Sequence, residues 1–242
     1  MRTEATNTFE HSAPVLLTQE PAPMLSDQQT RTMLSLQSAM NAKVDPNWVA
    51  ARYPYMRAVV IEAAEAVEHH GWKWWKKQAK DLPQLQMELI DIWHFLLSQI
   101  LLNEGGGEAA ALLKLNEQLE TIEDSKQVDF DGKSYTLSSM DLLEQIELLM
   151  GISAARRIEL SVFAAIMSNC EMNWTELYCQ YVGKNVLNFF RQDHGYQDGS
   201  YQKMWNGRED NEYLVEVMAD LDPSDAEYED KLYSALRNHY PN

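Results

Sequence analysis

Cysteine is scarce in this chain. Its 242 residues include two, Cys170 and Cys179, outside any C-x-x-C pattern. That excludes a disulfide scaffold and a thiolate metal knuckle, and both read as reduced thiols. Basic residues are also few, with 20 Lys and Arg against 37 Asp and Glu and a formal net charge of −17. A field of that sign argues against a DNA or RNA duplex as partner. It also means that a polyphosphate could bind only with cations and a local basic patch. No apolar run of about eighteen residues is read in the sequence, the length needed to span a bilayer. The first 23 residues lack the apolar core of a secretory signal. These absences predict a cytoplasmic protein with no membrane partner.

What is present is an ordinary globular composition, 45% hydrophobic and 24% charged, long enough for one domain with a proper core. Residues 1–26 mix Thr, Glu, Pro, Ala and Ser without periodicity and predict a loose N-terminal arm. Residues 27–242 predict a single domain.

Two acidic pairs stand out. Val59-Val60-Ile61-Glu62-Ala63-Ala64-Glu65-Ala66-Val67 and Met87-Glu88-Leu89-Ile90-Asp91-Ile92-Trp93-His94-Phe95 each place two carboxylates three residues apart in an apolar helix. That spacing puts both on one helix face, one turn apart. Lys and Arg are nearly absent from both segments, and unpaired buried carboxylates are costly. A single pair would read as a solvated face. Two pairs on successive apolar helices favour a hard divalent cation, which takes oxygen ligands and shares them with phosphates. The pattern resembles the metal site of the all-α nucleotide pyrophosphohydrolases.

Taken in order, Ser26 or Asp27 caps a first helix carrying Gln37 and Asn41 four residues apart. Their amides suit a pyrimidine edge but also suit a surface. The first acidic helix runs from about Tyr55 to Gly71, the second from Asp81-Leu82-Pro83. Between them Trp72-Lys73-Trp74-Trp75-Lys76-Lys77 is too bulky for a linker. Gly105-Gly106-Gly107 reads as a flexible joint, and Phe130-Asp131-Gly132-Lys133 as a turn or hairpin. A further helix is read to Met150, ended by Gly151, then a long one through Arg156 and Met167. Residues 105–150 therefore predict an inserted, mobile region.

Further on, Lys184, Asn188 and Arg191 fall on one helix face, either a phosphate-binding stripe or a salt-bridged surface. A loop with three glycines, Gly195 to Gly207, follows, and such loops more often form sites than cores.

These pieces together resemble the dimeric, all-α dUTPases. The motifs are Lys184-Asn185-x-Leu187-Asn188-x-Phe190-Arg191 and Gly195-Tyr196-x-x-Gly199-x-Tyr201-x-Lys203-x-Trp205-x-Gly207-x-Glu209-Asp210-Asn211. Leu36-Gln37 with Asn41, the acidic pairs, Trp74-Trp75-Lys76 and His94-Phe95 fall in the same order. The resemblance implies an all-α helical bundle, a homodimer with a rigid half and a mobile half. It implies Mg²⁺-dependent hydrolysis of dUTP, and of dUDP, to dUMP. Glu62, Glu65, Glu88 and Asp91 would hold metal, and Glu62 would also activate the attacking water. Gln37 and Asn41 would read the uracil edge, with Trp74 and Phe95 enclosing the base. Lys184, Asn188, Arg191, Tyr196 and Lys203 would hold phosphates. His69 and His94 are read as packed histidines, partners of the carboxylates or occasional ligands. The alternative substrate is dCTP or a modified nucleotide.

Overall fold

A computed structural model describes residues 24–122, 126–223, 225 and 227–241. The predicted arm, save Met24 to Ser26, lies outside the described residues. Among the described residues the chain is 66% helical, with ten α-helices and two small strand pairs, an all-α fold.

Local chemistry sets most helix limits. Ser26 and Gln29 form a reciprocal cap on α1 (Asp27–Val44), and Asn173 and Glu176 form one on α8 (Trp174–Asp193). The short α2 (Trp48–Ala51) ends at the left-handed Arg52. Gly71 closes α3 (Tyr55–His70) in a left-handed conformation, donating to Val67 and Glu68 carbonyls. Asp81 caps α4 (Leu82–Asn103) with Pro83 in its first turn.

The two acidic helices pack directly on each other. Met56, Val59, Ala63 and Ala66 form the buried stripe of α3, and the two alanines keep the helices close. On α4 the residues from Leu85 to Leu102 are almost all buried. This helix qualifies one reading of the sequence: it is long enough to cross a membrane, and an 18-residue window within it has a mean hydropathy of 1.2. Of that window 78% is buried inside the protein, and the helix packs against α1, α3, α5 and α8.

The glycine joint is also tighter than expected. A Cβ on Gly106 would stand 2.9 Å from Val49, so the turn into α5 (Glu108–Glu120) packs on α2. The predicted hairpin forms as β1 (Gln127–Phe130) and β2 (Lys133–Thr136), paired antiparallel. A single 3-10 turn, Leu137–Ser139, leads into α6 (Leu142–Ala154). Contrary to expectation α6 runs through Gly151, whose missing side chain makes room for the Phe130 ring. The break comes later, at left-handed Arg156, and α7 spans Leu160–Asn169.

Beyond α8, a two-residue hairpin of β3 (Met204–Trp205) and β4 (Arg208–Glu209) leads into α9 (Asp210–Ala219) and α10 (Tyr228–His239). The chain's end returns to this loop. Tyr240 stacks on Tyr201 at 5.3 Å and edges onto Phe190 and Trp205. Its hydroxyl accepts from the Gln202 N–H at 3.1 Å.

Residues 105–150 share the main core: Ala111, Leu112, Leu115, Ile146 and Leu149 are all buried in it, and α6 lies along α3. Ile146→Ala should therefore destabilise the whole protein by about 2–5 kcal/mol. Urea unfolding followed by circular dichroism and by tryptophan fluorescence should give one shared transition. Two separate transitions would mean that this region folds as its own unit.

Candidate active site

Helical spacing delivers the acids as the sequence reading expected, though not as four equal partners. Carboxylate oxygens of Glu62, Glu65 and Glu88 lie within 4.8 Å of one another between α3 and α4. Burial, then repulsion from Asp91 and Glu65, pushes the Glu62 carboxyl up to about 7. The same causes push buried Glu88 up to about 8, burial first, then Asp91. Three hard oxygen donors that repel one another in a partly dry site fit a divalent cation. Asp91, one turn beyond Glu88, is held differently: Lys184 Nζ approaches its Oδ2 at 2.8 Å.

Lys184 is itself buried, only 1% exposed, and also donates to Asn211 Oδ1 at 2.8 Å. It ties α4, α8 and the start of α9 together. About two helical turns along α8, Arg191 forms a two-pronged pair with Asp210, both bonds at 2.8 Å, and Tyr201 donates to the same carboxylate. Burial works against the Asp210 carboxylate, but Arg191 and Tyr201 outweigh it and hold it below its ordinary value. Lys203 pairs with Glu209 at 3.1 Å. Lys184, Asn188 and Arg191 do share α8 as read from the sequence, and in this structure the cations of this region are matched to acids.

The acids of α3 and α4 and the three cations face one cavity of about 700 Å³, lined by Glu62, Glu65, Glu88, Asp91, Lys184, Arg191, Tyr196 and Lys203, with His69, Asn211 and others; Asp210 and Tyr201 stand behind it. A second cavity of about 350 Å³ adjoins it and shares Glu62, Asp91, Arg191 and Tyr196. Gln37, Asn41, His94, Phe95, Asn188 and Tyr55 complete its wall. The first is polar and acidic, the second more apolar, so together they suit a ligand with a charged end and a flat end. Trp74 joins neither: it is 86% exposed, edge-on to Trp72 and Trp75.

The second cavity holds a hydrogen-bond chain that the sequence does not reveal. Gln37 Oε1 accepts from His94 Nδ1 at 2.7 Å and lies 3.0 Å from the Tyr181 hydroxyl. Gln37 Nε2 donates to Asn41 Oδ1 at 3.1 Å and Ser98 Oγ at 2.8 Å. Both N–H groups of the Gln37 amide and one lone pair of its oxygen are therefore used inside the protein, and the Tyr181 proton is shared between that oxygen and the Met33 carbonyl. Because an amide oxygen can only accept, the His94 proton sits on Nδ1 and Nε2 presents a lone pair. His94 Nε2 and Asn41 Nδ2 have no partner among the described residues, although both side chains are buried. Burial pushes the His94 imidazole down to about 3, so it stays neutral near pH 7. The network leaves one acceptor on His94 and one donor on Asn41 unpartnered among the described residues, and both residues line the second cavity. Gln37, expected to read the base, lines the same cavity with its amide bonded to its neighbours.

Ser98 and Tyr181 were missed by sequence reading. The signal was slight: Ser98 interrupts Leu96-Leu97-x-Gln99-Ile100 one turn after His94, and Tyr181 stands three residues before Lys184 on α8.

The raised acids make a pH prediction. A carboxyl raised in the folded state holds its proton more tightly folded than unfolded. Its stabilising effect is full below the ordinary value of 4.5 and is lost as pH rises through about 7 for Glu62 and about 8 for Glu88. Chelator-treated protein should therefore show a falling Tm between about pH 5 and pH 8. Glu88→Gln should flatten that fall, and so should a divalent cation added to wild type. Identical slopes in wild type and Glu88→Gln would show that the acid pair is not strained.

With this geometry in place, the comparisons with known proteins are specific. No curated protein matches the chain. A family model described as dUTPase matches residues 29–196, which takes in the acidic helices, the hydrogen-bond chain and the whole of α8. The chain belongs to the all-α dUTPase family, enzymes that hydrolyse dUTP.

Proposed function

We propose that this protein converts dUTP, and also dUDP, to dUMP, releasing pyrophosphate or phosphate, as a Mg²⁺-dependent homodimer in the cytoplasm. One observation supports the choice of base: an unpartnered lone pair on His94 Nε2 and an unpartnered donor on Asn41 Nδ2, both on residues that line the second cavity. Uracil offers a donor at N3 and acceptors at O2 and O4. Cytosine offers an acceptor at N3 and a donor at its amino group. Reading cytosine would require moving the His94 proton to Nε2, and that would force the Gln37 amide to turn over. The turned amide would satisfy His94 Nδ1 but would point its oxygen at Asn41 Oδ1, breaking the contact on that side unless Asn41 turned as well. Phe95 forms part of the same wall and is the bulky group suited to crowd a ribose 2′-hydroxyl.

In the adjoining cavity a bound divalent cation supplies charge neutralisation and a more acidic water. Glu62, Glu65 and Glu88 would hold it. Glu62, raised by its burial and its acidic neighbours, takes the proton of the attacking water. Lys184, Arg191 and Lys203 exchange carboxylate partners for phosphate oxygens as the triphosphate enters. The loop from Gly195 to Gly207 closes over it. Exposed Trp74 and Trp75 form an apolar surface that a second copy of the chain would cover.

Two measurements test this reading. With Mg²⁺, kcat/KM for dUTP should exceed that for dCTP by about 10⁴, with dTTP and UTP also far behind. Glu62→Gln should abolish turnover with the helical circular dichroism signal intact. A panel that prefers dCTP, or treats all four alike, would leave only a general pyrophosphohydrolase. A second variant addresses the tautomer. In Gln37→Ala nothing pins the His94 proton, so the preference for dUTP over dCTP should shrink by about tenfold or more. An unchanged ratio would mean that the base is read elsewhere.

A further inference from the structure

The acidic cluster has a neighbour that neither the carboxylate spacing nor the three-oxygen grouping accounts for. His69 lies four residues after Glu65 and seven after Glu62, so all three project from one face of α3. Its Nε2 stands 3.5 Å from Glu88 Oε1, across the gap to α4, and the residue lines the acidic cavity. His70, one position on, turns away, and its Nδ1 is buried without a partner.

The His69–Glu88 distance is too long for a well-made hydrogen bond. It fits another relation. Two donor atoms about 2.1 Å from one cation and about 90–110° apart lie about 3.0–3.5 Å from each other. Two ligands four residues apart on one helix, here Glu65 and His69, is also an arrangement by which helices chelate a single ion. His69 stands outside the three-oxygen group, and its side chain is one-third exposed, so it would turn inward to share an ion with Glu65 and Glu88.

We propose that His69 is a direct nitrogen ligand in this centre, alongside Glu65 and Glu88. The inference rests on the metal-dependent reading above and refines it. Carboxylates alone suit Mg²⁺, whereas an imidazole in the set favours first-row transition cations. The centre therefore binds Mn²⁺ in preference to Mg²⁺ more strongly than an all-oxygen site would. His69 matters here for which cation is held, not for the proton transfer.

The test uses the full chain, stripped with chelator and loaded with Mn²⁺ in the absence of nucleotide. Pulsed electron paramagnetic resonance should detect a nitrogen nucleus bound directly to Mn²⁺, and ¹⁵N-histidine labelling should change that signal. His69→Gln should lose the signal yet still bind Mn²⁺ through its carboxylates. Its ratio of Mn²⁺ to Mg²⁺ affinity, measured by calorimetry, should drop by about tenfold. An oxygen-only spectrum in the wild type, a nitrogen signal that survives in His69→Gln, or an unchanged affinity ratio would each overturn the proposal. Those results leave the wider reading standing, because Mn²⁺ and Mg²⁺ still bind. If the wild type binds neither cation, the metal-dependent reading falls and His69's role falls with it.

Discussion

Three carboxylates converge where two apolar helices touch, and much else in the molecule answers to that charge. Half-buried Glu62 and exposed Glu65 on α3 meet buried Glu88 on α4 at the edge of a contact sealed by alanine, valine and leucine. The helices cannot move apart without exposing that core. Their acids therefore stay close and repel, and two of them hold protons far above the ordinary range. Part of the compensation comes from across the bundle, where buried Lys184 reaches Asp91 from α8. Breaking one side of a buried pair of this kind leaves an uncompensated charge, which is why such partners must be delivered together.

The same helix that carries Glu88 and Asp91 also carries His94, Phe95 and Ser98. Asp91, which lines both cavities, stands one turn before His94 and Phe95 on α4, so the spacing of the two cavities is fixed by helix geometry rather than by a loop. In the second cavity the Gln37 amide is engaged with His94, Asn41 and Ser98. The proposed choice of base draws on the cost of leaving buried polar groups unpaired there.

The basic side of the cleft depends on the end of the chain, much of it beyond the matched residues 29–196. Lys203, Asp210 and Asn211 come from the loop and from the first turn of α9. That loop is backed by an aromatic cluster in which Tyr240, just after α10, stacks on Tyr201. Tyr201 also bonds Asp210, so packing at the C-terminus connects directly to the anchor of Arg191. Gly183 adds to this fit: a Cβ there would collide with Met218 on α9, so α8 and α9 meet at close range.

Much of this could be read from the chain alone, and the division has a physical cause. Helix limits at Ser26, Gly71 and Asp81, and the shared face of each acidic pair, depend on residues within one or two turns. Capping and periodicity are local, so the sequence by itself determined them, and with them the all-α class and the acidic centre. Helix α6 escaped because Gly151 answers to the distant Phe130 ring and not to its own neighbours. Gln37 escaped because its partners His94, Ser98 and Tyr181 stand 57, 61 and 144 residues away. The length of α4 was equally ambiguous, since only packing shows whether its apolar surface meets protein. Tertiary structure alone decided which polar valences are spent, which cations are paired, and which atoms of His94 and Asn41 are left unpartnered among the described residues, because each of these depends on partners that only folding brings into contact.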